Sequence, residues 1–232
     1  MSKKKSIAVA IVLLLVLLIG GMLAFFTDTD KAENVFTLGD NIEISLIETG
    51  WTEGTNDTYT RTDAEGIHPA AVVAKDPTIV NDSLTTPAYV FAEVIVPCYD
   101  TDDADSVVDA PLFKLNSGTT ASPAALGTTV DSAGNTGWTL IKVSEIDTTN
   151  KTITYVYAYG TSSAMTELAK STSASEKTKT PPVFTSVTLE PTLTAEQKAT
   201  APSSTNIVVN AYGIQIDNLG TTSPTAIYDI VN

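Results

Sequence analysis

AYVFAEVIVP, residues 88–97, is apolar at nearly every position. A strand with one wet face alternates polar and apolar residues, whereas a short unbroken apolar run is a strand covered on both faces. Such a strand needs neighbours on either side, and the flanking sequence supplies them. Asn41–Glu48 (NIEISLIE) sets Ile42, Ile44 and Leu46 on one face and polar residues on the other. Ala70–Asn81 is a strand interrupted by Pro77, as at an edge or a bulge. Pro111–Asn116, Trp138–Ile146, Thr152–Tyr159, Val183–Leu193 and Ile207–Ile216 complete the set. The short polar link Asp147–Lys151 makes Trp138–Tyr159 a hairpin. Tyr155, Tyr157 and Tyr159 alternate at strand spacing and form a packing face; Trp51 and Trp138 each follow a glycine and cap the core.

Helix signals are scarce. Thr194–Lys198 predicts one turn with Thr194 as its cap, and Ser162–Lys170 predicts another. Ser117–Gly137 and Ser171–Pro182 are low in complexity and are expected to be mobile loops. Strands joined by long irregular links predict an all-β fold, an antiparallel sandwich with a jelly roll as the leading topology.

The N-terminus carries a different message. Lys3, Lys4 and Lys5 precede an apolar run from Ile7 to Phe26. A basic head before an apolar stretch is an export signal, with the lysines held on the cytoplasmic face. The run is long enough to stay in a bilayer as an anchor. Gly20-Gly21 and the small Ala24 favour removal instead, with cleavage between Ala24 and Phe25. The expected organisation is a signal peptide over 1–24, an N-terminal segment over 25–38 and a β-sandwich domain over 39–232.

Three of the 13 basic residues and none of the 27 acidic ones precede Phe25, so the remaining 208 residues carry a net charge of −17. That charge repels phosphate backbones and anionic lipid, which excludes nucleic acid as a partner. Cations, basic surfaces or further copies of the chain are better matched. Cys98 is the single cysteine, so no internal disulfide can form and the domain must hold by its core. Its place after VIVP at a strand end predicts a half-buried apolar side chain rather than a reactive thiol. The C-terminal AIYDIVN lacks the apolar tail and basic stop of a wall-sorting signal.

Catalytic signatures are weak. His68 is the single histidine, in a loop beside Pro69, and neither H-E-x-x-H nor G-x-S-x-G occurs. No cofactor and no enzymatic activity are expected. The run YDTDDADSVVD gathers Asp100, Asp102, Asp103, Asp105 and Asp109. Clustered carboxylates suit calcium, but the glycine of an EF-hand loop is missing, so a solvated loop is the better expectation and calcium a weak one.

Taken in order, these residues resemble the TasA–camelysin family of exported bacterial matrix proteins. The junction GGMLAFFTDTDKAENVFTLGDNIEISL carries the resemblance through Gly20, Gly21, Ala24, Phe26, Asp28, Asn34, Phe36 and Gly39. It continues through AKDPTIVND, AYVFAEVIV, GWTLIKV, YVYAYG, TPPVFTSVTL and IVVNAYGIQ. The resemblance implies cleavage by a dedicated ER-type signal peptidase, a jelly-roll body and a role as a biofilm-matrix fibre or surface subunit. Some members carry a metalloprotease label, for which this chain lacks the histidines. The physical expectation that fits is strand addition. Residues 25–38, freed from the leader, would pair with the sheet edge of a neighbouring copy, with Phe26, Val35, Phe36 and Leu38 filling apolar gaps. Such a head-to-tail contact does not close and grows as a homopolymer. Partners would then be the chain itself, the signal peptidase, and other matrix proteins or an anchoring accessory protein. Two other readings stay open: a monomeric, membrane-anchored surface or adhesion domain, and a secreted hydrolase.

Overall fold

The computed structural model describes residues 27–29, 42–53, 59–60, 66–100, 108–115, 137–202 and 205–231. The 88–97 run becomes β7, Ala88–Asp100, and lies at the centre of a six-stranded sheet. Its neighbours are β14 (Val208–Gln215) and β11 (Thr152–Tyr159), both antiparallel to it. Outside β11 lies β10 (Trp138–Val143), and outside β14 lies β1 (Thr27–Thr29). The far end of β7 also pairs with β8 (Val108–Pro111). All the described pairings are antiparallel, and the fold is all-β.

Both faces of β7 are covered, and the period of two sorts them. Val90, Ala92, Val94 and Val96 face the main core; Tyr89 and Phe91 face a second, smaller one. Two three-stranded sheets close the main core. One runs β12 (Thr178–Lys179), β6 (Thr78–Asn81), β2 (Ile44–Ile47); the other runs β5 (Val72–Ala74), β13 (Ser186–Leu189), β9 (Phe113–Leu115). They contribute Ile44, Ile79, Val73, Val187, Phe113 and Leu115, and the result is a sandwich. Strands β3 (Thr52–Glu53) and β4 (Tyr59–Thr60) form a separate pair. Tyr155 and Tyr157 lie in the main core, and Trp138 is fully buried there with its indole N–H on the Pro181 carbonyl at 2.9 Å.

The described residues include two short helices. α1 (Ala195–Thr200) starts at Thr194, whose hydroxyl accepts from the Gln197 amide while the Gln197 side chain accepts from the Thr194 amide. α2 (Pro224–Val231) was not expected. It packs Ile227 and Tyr228 onto Tyr89, Phe91, Val156 and Ile214, and so covers the second face of β7. Among the described residues, no helix is long and apolar enough to cross a membrane.

Several expectations are corrected. Ala70–Asn81 is two strands in different sheets, not one interrupted strand. Pro77 cannot donate to a ladder, and its carbonyl instead accepts from the Val183 amide where the chain changes sheet. Pro111–Asn116 likewise divides, with Leu112 between β8 and β9. Ser162–Lys170 forms no helical turn, because bridges from Gly160 to Met165 and from Ala88 to Leu168 hold it extended. Gly160 sits at φ +149°, and a Cβ there would lie 2.4 Å from the Ala164 carbonyl oxygen. Ser171–Pro182 is not a free loop: Ser171 and Thr180 are buried and β12 pairs with β6. Cys98 is fully rather than half buried, since β7 continues through Pro97. The loop 117–137 lies, but for Gly137, outside the described residues.

Where β2 ends, Lys75 donates to both carboxylate oxygens of Glu48 at 2.5 and 2.6 Å, and its ammonium lies 4.7 Å from the Trp51 ring centre. Their side chains are 8% and 3% exposed, so the two charges depend on each other for solvation. Removing one should cost more than removing both. Glu48→Gln should destabilise the fold by roughly 3–5 kcal/mol, and Glu48→Leu with Lys75→Met by much less. Urea unfolding of the two variants beside the unsubstituted chain checks this.

Candidate functional site

An antiparallel sheet ends in strands whose outward N–H and C=O groups have no ladder partner, and such an edge is a template for another strand. β14 is bound along its whole length to β7, from Val208 opposite Ile95 to Gln215 opposite Ala88. Its other edge receives β1 in the register Thr27–Ile214, Asp28–Gly213 and Thr29–Tyr212. β1 is the described part of the segment expected to act as a donor strand, and it pairs within its own chain. A net 0.5–1.5 kcal/mol per hydrogen bond makes a pairing of three residues weak, of order a few kcal/mol.

β14 is shaped for close approach where β1 joins it. Gly213 faces β2, and a Cβ there would lie 3.2 and 3.3 Å from Ile44 and 3.4 Å from Ile42. On the opposite face, Tyr212 donates its phenol to Glu93 at 2.7 Å, and Tyr228 of α2 donates to the other oxygen of the same carboxylate. Tyr228 also sits edge-on to Phe91 at 5.5 Å, with the Lys142 ammonium 5.3 Å from its ring centre. The Glu93 carboxylate thus ties together β7, β14 and α2, under the strand that carries β1. Nothing in the expected site residues included Glu93, Tyr212 or Tyr228. A signal existed: Glu93 is the single charge within AYVFAEVIVP, and a carboxylate in an apolar strand requires donors.

The other expected residues fall elsewhere. Ala24, Phe25, Phe26, Val35, Phe36 and Leu38 lie outside the described residues, as do Asp102, Asp103 and Asp105. Asp100 ends β7, buried, with its amide on the Thr200 hydroxyl at 3.0 Å and one carboxylate oxygen without a hydrogen-bond partner. Among the described residues, no three His, Cys, Asp or Glu side chains converge as metal ligands. His68 is exposed in the turn before β5, where its carbonyl accepts from the Ala71 amide.

Burial first, and then the Glu93 carboxylate, push the Tyr212 and Tyr228 phenols above their ordinary value. Burial does the same for Tyr155 and Tyr157. The folded chain therefore holds these protons more tightly than the unfolded one. Their contribution to stability is complete below the unfolded value of 10.0 and is lost as pH rises through the folded values. Urea unfolding on either side of pH 10 should show stability falling on the alkaline side, with a shallower fall in Tyr212→Phe, Tyr228→Phe. At neutral pH each of these substitutions should cost about 1 kcal/mol. No protein-family model, curated protein sequence or solved structure matches this chain.

Proposed function

We propose that this chain is an exported structural subunit. Residues 1–24 are removed by signal peptidase, and the mature chain polymerises head to tail into biofilm-matrix or cell-surface fibres. The body takes the jelly-roll arrangement of the TasA–camelysin family that it resembles. Subunits join by strand addition, and other matrix proteins or an anchoring accessory protein are further partners. The role is non-enzymatic and uses no cofactor. The observation that carries this reading is the pairing of Thr27–Thr29 with the edge of β14. It puts the segment next to the proposed cleavage point in strand form, on a sheet edge that can take a strand. The junction sequence and the absence of a paired cysteine in the chain also support it.

Deletion tests this directly. The main core among the described residues is built from Ile42 and residues after it, so a chain starting at Gly39 should remain folded. That chain lacks β1, Phe26 and Phe36. Burying one phenylalanine contributes roughly 1.5–3 kcal/mol. Losing two therefore weakens each subunit contact by several powers of ten, at about 1.4 kcal/mol per tenfold. The truncated chain, and Phe26→Ala with Phe36→Ala, should be folded by circular dichroism and monomeric by sedimentation where the exported protein forms fibres under the electron microscope. Normal fibres from the truncated chain would remove strand addition by this segment.

A further inference from the structure

Three lysine–carboxylate pairs occur among the described residues, and one of them differs in kind. Lys177, paired with Asp82, and Lys114, paired with Glu190, have side chains 45% and 23% exposed. The side chains of Lys75 and Glu48 are at 8% and 3%, and the Lys75 nitrogen stands at nearly equal distances, 2.5 and 2.6 Å, from the two carboxylate oxygens. A nitrogen so placed lies against the carboxyl carbon that joins them. The neighbouring residues hold it there. The Thr49 amide donates to the Asp76 carboxylate at 2.8 Å, and the Trp51 indole N–H donates to the Ala74 carbonyl at 3.0 Å. Residues 48–51 and 74–76 are thus clamped on both sides of the pair, and the Trp51 ring covers the amine.

We propose that Lys75 and Glu48 condense into an intramolecular amide, a side-chain cross-link that closes residues 49–74 into a loop. A proton passes from the ammonium to the carboxylate, and the neutral amine attacks Cδ of the carboxylic acid so formed. The Nζ–Cδ bond forms and one Cδ–O bond breaks. That oxygen leaves as water, with its own proton and one from the nitrogen, and nothing is oxidised or reduced. Two features of the site drive a step that is unfavourable between free amines and acids in water. Groups fixed in contact react with effective molarities of about 10⁵–10⁸ M. Buried ions also carry a desolvation penalty that their attraction offsets only in good geometry, whereas the amide carries no charge. The same burial keeps water from hydrolysing the product. The link ties the end of β2 to the end of β5, strands of different small sheets, in a chain whose single cysteine cannot provide an internal tie. By restricting the unfolded chain it stabilises the fold as a disulfide over the same loop would. Condensation needs the folded site, so a newly folded chain still holds the ion pair and its energetics.

Mass spectrometry of the full chain, purified folded and then denatured and digested, tests this. Trypsin cuts after free lysine and arginine, so an acylated Lys75 is passed over. The digest should contain residues 32–61 joined to residues 62–114, one water lighter than the two peptides together. Fragmentation should place the junction at Glu48 and Lys75. Glu48→Gln should reach the same product, because its side-chain amide releases ammonia instead of water, and its joined species should match that of the unsubstituted chain in mass. Glu48→Leu with Lys75→Met removes both reacting groups and should leave residues 32–61 and 62–114 separate. The unsubstituted chain decides. Free residues 62–75 in place of the joined species overturn the inference, whatever Glu48→Gln gives. So does a loss of water that fragmentation assigns to any other residues. Either result leaves the fibre reading untouched, since the amide depends on the folded body alone.

Discussion

The structure depends on the double burial of β7. A strand apolar on both faces can exist in water only if two separate layers cover it and two strands satisfy its main chain. β11 and β14 supply the ladders, the two smaller sheets cover one face, and α2 covers the other. Each of those elements is placed by what β7 lacks. α2, only eight residues long, has too little propensity to stand alone and is held by Ile227 and Tyr228 against the sheet. With a single cysteine no internal disulfide is available, and this central strand takes the role that cross-links have in disulfide-rich domains.

The Glu93 carboxylate is the polar exception within that strand, and it explains how the layers are registered. It opposes Asn210 on β14, takes a phenol from Tyr212 two residues further on, and takes another from α2. Hydrophobic contacts alone would let a short helix slide over a sheet, since burial is non-directional. Two charge-assisted hydrogen bonds to one carboxylate fix its position. The strand that carries β1 is therefore positioned by the same group that docks the C-terminal helix.

What the sequence reveals follows from how local the cause is. β7, the β10–β11 hairpin with its Asp147–Lys151 link, and the Thr194 cap were all legible, because period, turn chemistry and capping act within a few residues. The division of Ala70–Asn81 at Pro77 was not, because its two halves answer to β13 and to β2, far away in the chain. Residues 162–170 read locally as a helical turn and 171–182 as loop, yet the Ser171 hydroxyl donates to the Asn81 carbonyl and the Asn81 side-chain amide donates to the Leu168 and Ala169 carbonyls, contacts that span 87 to 90 residues. α2 had a local signal, Pro224 at the first helical position and apolar residues at 227, 228 and 231. At the candidate edge, Thr27–Thr29 fall in a segment read as extended, whereas their pairing with β14 of the same chain was a matter of register, which no local pattern encodes.

Charge and edge pairing then act on different length scales. Residues 25–232 carry a net charge of −17, which repels like-charged copies over a Debye length of about 8 Å at physiological salt. Contacts between broad faces bring many carboxylates within that distance. A single strand laid on an edge brings few, and its hydrogen bonds are made by neutral peptide groups that net charge does not weaken. Acidic repulsion therefore penalises lateral clumping more than addition at β14. On the strand-addition reading proposed above, the edge would then be the least costly place for copies to join. Selectivity between those modes lies in geometry rather than in any single residue, and it sharpens as salt is lowered.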